Sequence, residues 1–346
     1  MMLLIVCALL MGLAAYIFFK GPPNEADWAW TLRRVRMVFD TEALMATAFE
    51  PHDVERYYRH TTNRDYALLA AATRCSAMHT ELRCTLPLRL SHFKQLVYPL
   101  IYLPQPAASV LEVGSGKGSN TVTLAALLPH ASFVGLDAVA HHAAIATEAA
   151  ADAGTTNACF VVGNAAAPPA EITSKRYDLV FGVESLCHLD TDAMMDGFLH
   201  FAAGTLTSGG RLVIVDGFRS SRYNEATPLV QSAMRLAECG FRIRRMATKA
   251  AWVSSARRHG LQLIHDEDLT AQALPFWTDG WKAAVLILFV PRLARWYIHS
   301  SEARTETGGS FLAVCCTAAA LALGSAEYGV LAFEKTEGGG YAIALP

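Results

Sequence analysis

Val110-Leu-Glu-Val-Gly-Ser-Gly-Lys-Gly-Ser-Asn-Thr121 is the stretch that decides the fold of this 346-residue chain. An apolar run meets an acidic residue, Glu112, then a turn containing Gly114, Ser115, Gly116 and Gly118, then a stretch that reads as helix. Glycines belong where a backbone turns sharply and lets a ligand come close. A dinucleotide-binding turn has the spacing G-x-G-x-x-G. Here the third glycine arrives one residue early and Ser119 fills the expected place, so the loop points away from NAD.

Outward from this loop the chain alternates strand and helix. Short apolar runs at 109–113, 133–137, 159–162, 177–181 and 211–216 read as strands. Helical stretches at 120–128, 138–151 and 191–206 separate them, and a turn at Ser208-Gly-Gly210 precedes the fifth strand. Nearly continuous apolar strands at this pitch mean a parallel sheet covered on both faces, with ligands at the C-terminal strand ends. Further on, 228–239, 247–259 and 310–323 read as helices, and 261–265 and 327–335 as strands.

The pattern E-x-G-x-G-x-G at 112–118 resembles motif I of the class I methyltransferases that depend on S-adenosylmethionine (SAM). The resemblance covers residues 55–336. It implies a Rossmann-like α/β fold: a seven-stranded, mostly parallel sheet with helices on both faces, its last strand antiparallel beside the fifth. It also implies SAM as the cofactor. Glu112, Gly114, Ser115, Gly116 and Gly118 then surround the methionine end. Asp137, at the end of the second strand, is placed to accept from both ribose hydroxyls; a helix cap is the lesser reading of the residue on its own. Ala138 follows it. Asn164 and Ala165, after the third strand, fall where the family usually has an aspartate facing the adenine; asparagine keeps an acceptor but not the charge. Val183 faces the sulfonium side. Asp178, inside the fourth strand, reads as structural.

Gly182-Val-Glu-Ser-Leu-Cys-His-Leu189 resembles the E-A-T-C-H segment of sterol C-methyltransferases, and more loosely that of tocopherol methyltransferases. Glu184, Cys187 and His188 match it; Ser185 and Leu186 depart. The implied acceptor is small and lipophilic: a sterol, prenyl-quinone, tocopherol or other isoprenoid. Glu184 and His188 are then the catalytic candidates, because methylation at carbon leaves a cation to stabilise and a proton to remove. Tyr57, Tyr58, His79 and Asp216 are the candidate substrate-pocket residues. O- or N-methylation of a polar metabolite is an alternative in the same class. A non-catalytic scaffold that keeps the fold at a membrane is one outside it.

The bulk composition narrows the partners. The formal net charge is −2, which offers no electrostatic footprint for nucleic acid. Only 17% of residues are charged and the mean hydropathy is +0.26, apolar enough to imply contact with lipid. Eight cysteines show no C-x-x-C pair, so they read as reduced thiols and not as a zinc site; no metal is expected. Residues 2–19 are apolar and uncharged, and Lys20, Arg33, Arg34 and Arg36 follow. That run is long enough to span a bilayer, and the basic flank puts the body of the chain in the cytoplasm. A cleaved signal or a buried helix are the other readings of the same run.

The expected organisation is a transmembrane anchor at 1–20, a juxtamembrane linker at 21–50, an N-terminal helical cap at 51–105 and the methyltransferase domain at 106–346. Within the linker, Trp28 and Trp30 read as headgroup-level tryptophans or as plain packing. Within the cap, helices are expected over 67–82 and from Ser91 to Pro104. Within the domain, the apolar, aromatic stretch 276–300 reads as an interfacial helix, a pocket lid or part of a core. The sequence leaves the oligomeric state open.

Overall fold

The computed structural model describes residues 19–50, 52–59, 79–83, 94–106, 108–299 and 302–336. The seven strands are β1 (Ser109–Val113), β2 (Ser132–Asp137), β3 (Ala158–Val162), β4 (Tyr177–Val183), β5 (Leu206–Arg219), β6 (Leu261–Asp268) and β7 (Ala326–Lys335). They form one sheet in the order β3-β2-β1-β4-β5-β7-β6. β7 is antiparallel to both β5 and β6, while β1 to β5 pair in parallel. This is the Rossmann-like methyltransferase fold that the sequence implied.

Alternate residues of each central strand feed different cores, because side chains in a strand point to opposite faces. Val110, Phe133, Leu179, Phe181 and Val213 join one core with Leu124, Tyr98 and Ala273. Leu111, Val134, Val180, Leu212 and Ile214 join the other with Phe198, Leu199 and Trp252. Covered on both faces, these strands have no polar side to show, which is why they read as unbroken apolar runs. The turn at 208–210 is present as a break in register: Tyr177 pairs Leu206, but Leu179 pairs Arg211.

A third layer of helices closes the C-terminal edge of the sheet. It contains Glu25–Val35, Pro228–Gly240, Thr270–Leu288, Pro291–His299 and Glu302–Ala322. Its core includes Trp28, Leu32, Met234, Leu236, Leu312, Cys315 and Cys316. Residues 21–50, read above as a linker, therefore hold packed helices. Trp28 is fully buried and its indole N–H donates to the Leu229 carbonyl at 2.8 Å, so it packs inside the protein and not at a headgroup. The stretch 276–300 divides at Pro291, which starts a new helix as prolines at the first helical turn do. Trp281, Ala284, Val285 and Leu288 are buried there, while Leu286, Ile287 and Val290 are exposed.

Several expectations fall on other parts of the chain. The apolar run 2–19 lies outside the described residues except for Phe19, and among the described residues no helix is long and apolar enough to cross a membrane. The helix expected over 67–82 lies mostly outside them too; its described end, 79–82, is loop. Of the segment from Ser91 to Pro104, Lys94–Leu96 is a 3-10 turn and Val97–Ile101 a short helix.

Candidate active site

The glycine loop is held open by backbone geometry. Gly114, Gly116 and Gly118 have φ of +71°, +52° and +81°, the left-handed region that side chains disfavour. Gly114 and Ser115 donate their N–H groups to the Leu136 carbonyl at 2.7 and 3.1 Å, which ties the loop to the end of β2. A Cβ on Gly118 would stand 2.7 Å from that of Ala146, so only glycine lets the helix Ser119–Leu127 start here.

Glu112 does not face the cavity. It is buried beneath the loop, accepting from the Asn120 amide at 2.9 Å and from the Thr121 hydroxyl. Burial pushes its carboxyl up to about 7. Its expected contact with the cofactor is thus replaced by a bracing role, because residues 120 and 121 of the new helix reach it first. Asn120 carries the link on to the His79 ring at 3.1 Å, and His79 does line the cavity.

Asp137 takes the Gly116 N–H on one carboxylate oxygen and the Val139 N–H on the other, both at 2.8 Å. His142 Nδ1 is 3.5 Å away. The carboxylate thus shapes the loop and also caps the following turn, and it has acceptor capacity left for hydroxyl donors. The Asn164 side-chain oxygen accepts from Ala166 N–H at 2.8 Å, closing its own turn on the cavity wall beside Ala165.

The segment after β4 is held from three sides. Glu184 has a left-handed φ of +49°, a conformation that costs a non-glycine residue about 1–3 kcal/mol. Its N–H donates to the Val215 carbonyl at 2.8 Å. One carboxylate oxygen accepts from Thr80 N–H and from the Tyr328 hydroxyl, each at 2.7 Å. Ser185 donates its hydroxyl to the Val113 carbonyl at 2.6 Å, locking this segment against motif I. Asp216 accepts from the N–H groups of Ser185, Cys187 and Gly217 at 3.1, 3.0 and 2.8 Å. Burial, and then the neighbouring Glu184 carboxylate, push Asp216 up to about 7 against the pull of those donors. Asp216 lines the cavity, but its oxygens are spent on the loop.

His188 meets Tyr58. The hydroxyl is 2.7 Å from Nε2 and the two rings pack edge to face at 5.3 Å. Burial lowers His188 to about 4, so at neutral pH the ring is uncharged and keeps one lone pair. Burial also raises the Cys187 thiol, which makes it a poor nucleophile despite its place in the wall. Tyr57 is behind the wall, its hydroxyl 3.2 Å from Ser310 Oγ and its ring edge-on to Tyr58. It supports Tyr58 and does not line the cavity.

Apart from Glu112, Gly118 and Tyr57, these candidate residues border one cavity of about 330 Å³. Its wall contains the glycine loop, Asp137, Ala138, Asn164, Ala165 and Val183, and also Phe218, Met234, Phe241, Ile243, Met246 and Trp277. Glu184 and His188 are both in its wall. The loop end fits SAM on an observation of its own: the Ser115 hydroxyl is buried and without a hydrogen-bond partner, beside the open glycine turn. Tyr328, Thr80 and His142 are site residues that the sequence reading missed. His142 follows Asp137 by five positions, in the first turn of the next helix, and that spacing was a usable signal. Tyr328 and Thr80 reach Glu184 from 144 and 104 residues away, and nothing local marks them.

Residues 110–210 match the family model described as a methyltransferase domain. No curated protein matches the sequence. Among solved structures, the fold is similar to the cyclopropane synthase MmaA2 from Mycobacterium tuberculosis, at 15% identity and a TM-score of 0.65, over 83% of this chain and 99% of that one. It is also similar to geranyl diphosphate C-methyltransferase from Streptomyces coelicolor A3(2), at 16% identity and a TM-score of 0.62, over 84% and 100% of the two chains. A third likeness, at 16% identity and a TM-score of 0.61 over 84% and 98%, is to the [4+2]-cyclase SpnF. At such identities the likenesses speak for the fold. The domain match and the glycine loop it contains make residues 110–210 the domain of a SAM-dependent methyltransferase. SAM is its cofactor.

Proposed function

We propose that this enzyme methylates a small lipophilic acceptor at carbon, of the isoprenoid, sterol or prenyl-quinone kind. One observation carries the reading: the cavity that the glycine loop borders has a mostly apolar lining, with Phe218, Met234, Phe241, Ile243, Met246 and Trp277 in its wall. A polar metabolite would leave its donors and acceptors unmatched there, at a cost of about 1–3 kcal/mol each. Neighbours of the same fold include an enzyme that takes geranyl diphosphate. Residues 2–19 are proposed to tether the chain to a membrane with the catalytic domain on the cytoplasmic side.

When bound, SAM supplies a methyl group already activated by its positive sulfur, so the protein has mainly to position and desolvate the acceptor. Ser115 and Asp137 hold the cofactor end of the cavity. Attack by a carbon nucleophile leaves positive charge on the acceptor. The Glu184 carboxylate, fixed by Tyr328 and Thr80, and the faces of Tyr58 and Trp277 stabilise that charge. The neutral His188 ring, oriented by Tyr58, then accepts the proton that the cation must lose.

The test is purified enzyme with methyl-labelled SAM and a set of prenyl alcohols, prenyl-quinones and sterols beside polar amines. Label is expected in an apolar acceptor; label only in polar amines would overturn the reading. His188→Gln should lower turnover about 100-fold, the lower end for loss of a general base, with SAM affinity unchanged. Parallel loss of SAM binding would assign His188 to the cofactor site instead.

A further inference from the structure

The helical layer carries an apolar ridge on its outer side that the methyl-transfer chemistry does not use. Leu286, Ile287, Phe289 and Val290 lead from the end of helix Thr270–Leu288 into Leu293 and Trp296 of helix Pro291–His299. Val290, Leu293 and Trp296 are 55%, 59% and 64% exposed. The inner face of the second helix already has its own core contacts through the buried Ala294 and Ile298. The outward side chains are therefore surplus to packing, and a contiguous apolar patch of this kind marks an interaction site.

The chemistry of the patch selects its partner. Arg292 and Arg295 are exposed on the same short helix, interleaved with Leu293 and Trp296. Alongside, Trp30 packs on Phe289 at 5.3 Å, and the Arg34 guanidinium is 5.1 Å from the Trp30 ring. The helix Glu25–Val35 that carries both also receives the chain from the apolar run 2–19, and Lys20 pairs with Asp27 in its first turn at 2.9 Å. An apolar ridge, cationic side chains among it and the residues that directly follow the 18-residue uncharged run thus meet at the helix Glu25–Val35. A two-fold dimer through this face would set Arg292 and Arg295 near their own copies, with no counter-charge from the ridge itself. A bilayer surface offers hydrocarbon to the ridge and phosphate to the arginines.

The geometry points to residues 286–296 as a docking surface for an anionic lipid bilayer, laid flat on the interface. The surface is distinct from the run 2–19 and stands whatever the methyl acceptor is. It adds a second contact that fixes the orientation of the catalytic domain on the membrane.

The test is photo-crosslinking of the full chain bearing Leu293→p-benzoylphenylalanine, mixed with phosphatidylcholine vesicles with or without phosphatidylserine. A lipid adduct is expected, enriched by phosphatidylserine, and Arg292→Gln with Arg295→Gln should cut its yield about tenfold in the anionic vesicles. Circular dichroism and SAM affinity check that the variants remain folded. A cross-linked dimer in place of the lipid adduct overturns the proposal in favour of a second copy. Sedimentation with vesicles but no adduct overturns it in favour of attachment through residues 2–19 alone, and absence of both overturns it outright. No arm reads methyl transfer, so failure here is separable from failure of the acceptor assignment.

Discussion

Glu112 shows how the loop is supported from below. Its carboxyl holds Asn120 and Thr121 and is pushed up to about 7 from the 4.5 of an exposed glutamate, mainly by burial. In the window between those values the folded protein keeps a proton that the unfolded chain has lost. The stability this contributes is complete below about pH 4.5 and is lost as pH rises through about 7. Glu112→Gln removes the titration while keeping an oxygen acceptor for Asn120 and replacing the acceptor that Thr121 uses with an amide donor to its hydroxyl oxygen. The fall in Tm from pH 5 to pH 8 is therefore expected to be shallower in the variant; parallel Tm curves would show that Glu112 does not titrate in this range. Asp137→Ala removes an acceptor from Gly116 and Val139 and, with the cofactor end proposed above, from the ribose, so calorimetry should show SAM binding weakened by about 1.5–3 kcal/mol in a protein that stays folded. Unchanged affinity would take Asp137 out of the site. The positions of both residues were legible, because strand, turn and helix are contiguous between 109 and 137. Their partners were less so. Glu112 looked like a ligand-facing acid because a sequence does not say which way a strand-end side chain points, and here the parity of β1 turns it into the core.

The elements were readable where burial is periodic. β1 to β5 are apolar on both faces, and their runs located them to within a few residues except at the start of β5, where the strand pairs through the glycine turn at 208–210. The helix Glu302–Ala322 was seen only from 310. Gly308 and Gly309 argue against a helix there by propensity. Packing overrides it: a Cβ on Gly309 would come within 3.0 Å of the Gly240 carbonyl and 3.2 Å of the Tyr57 ring. The same crossing constrains the other helix. A Cβ on Gly240 would be 2.4 Å from the Ala313 nitrogen, so Pro228–Gly240 and Glu302–Ala322 meet backbone to backbone. Gly240→Ala gains helix propensity but must push these helices apart, and a net loss of about 1–3 kcal/mol is expected from urea unfolding. A neutral or stabilising result would mean that the helices separate freely at this point. The loss should also appear as a raised KM for the acceptor, since Phe241 and Ile243 follow directly in the cavity wall.

At the scale of the whole molecule, the cavity exists because the helical layer is fixed to the sheet at a set distance, and Glu238 is a principal fastener. It is fully buried on helix Pro228–Gly240. Arg219, the last residue of β5, donates to it at 2.6 Å, Arg235 of its own helix at 2.7 Å, and the Met246 N–H at 2.8 Å. One carboxylate thus joins the sheet, the helix and the segment that brings Ile243 and Met246 to the apolar wall. Little of this was visible in the sequence, where Glu238 occupies an ordinary helical position, because of its three partners only Arg235 lies on the same helix, while Arg219 and the Met246 N–H come from other segments. Glu238→Ala leaves two guanidinium groups without their counter-charge in a largely desolvated pocket. Such a loss typically costs about 3–5 kcal/mol, a large share of the stability of any single domain. The glycine-loop end of the cavity rests on β1, β2 and the post-β4 segment, none of which hydrogen-bonds Glu238. Under conditions where the variant is still folded, SAM affinity should therefore hold while KM for the proposed lipophilic acceptor rises. Equal damage to both ends would mean that the layer and the sheet move as one body, and that the apolar wall is not separately supported.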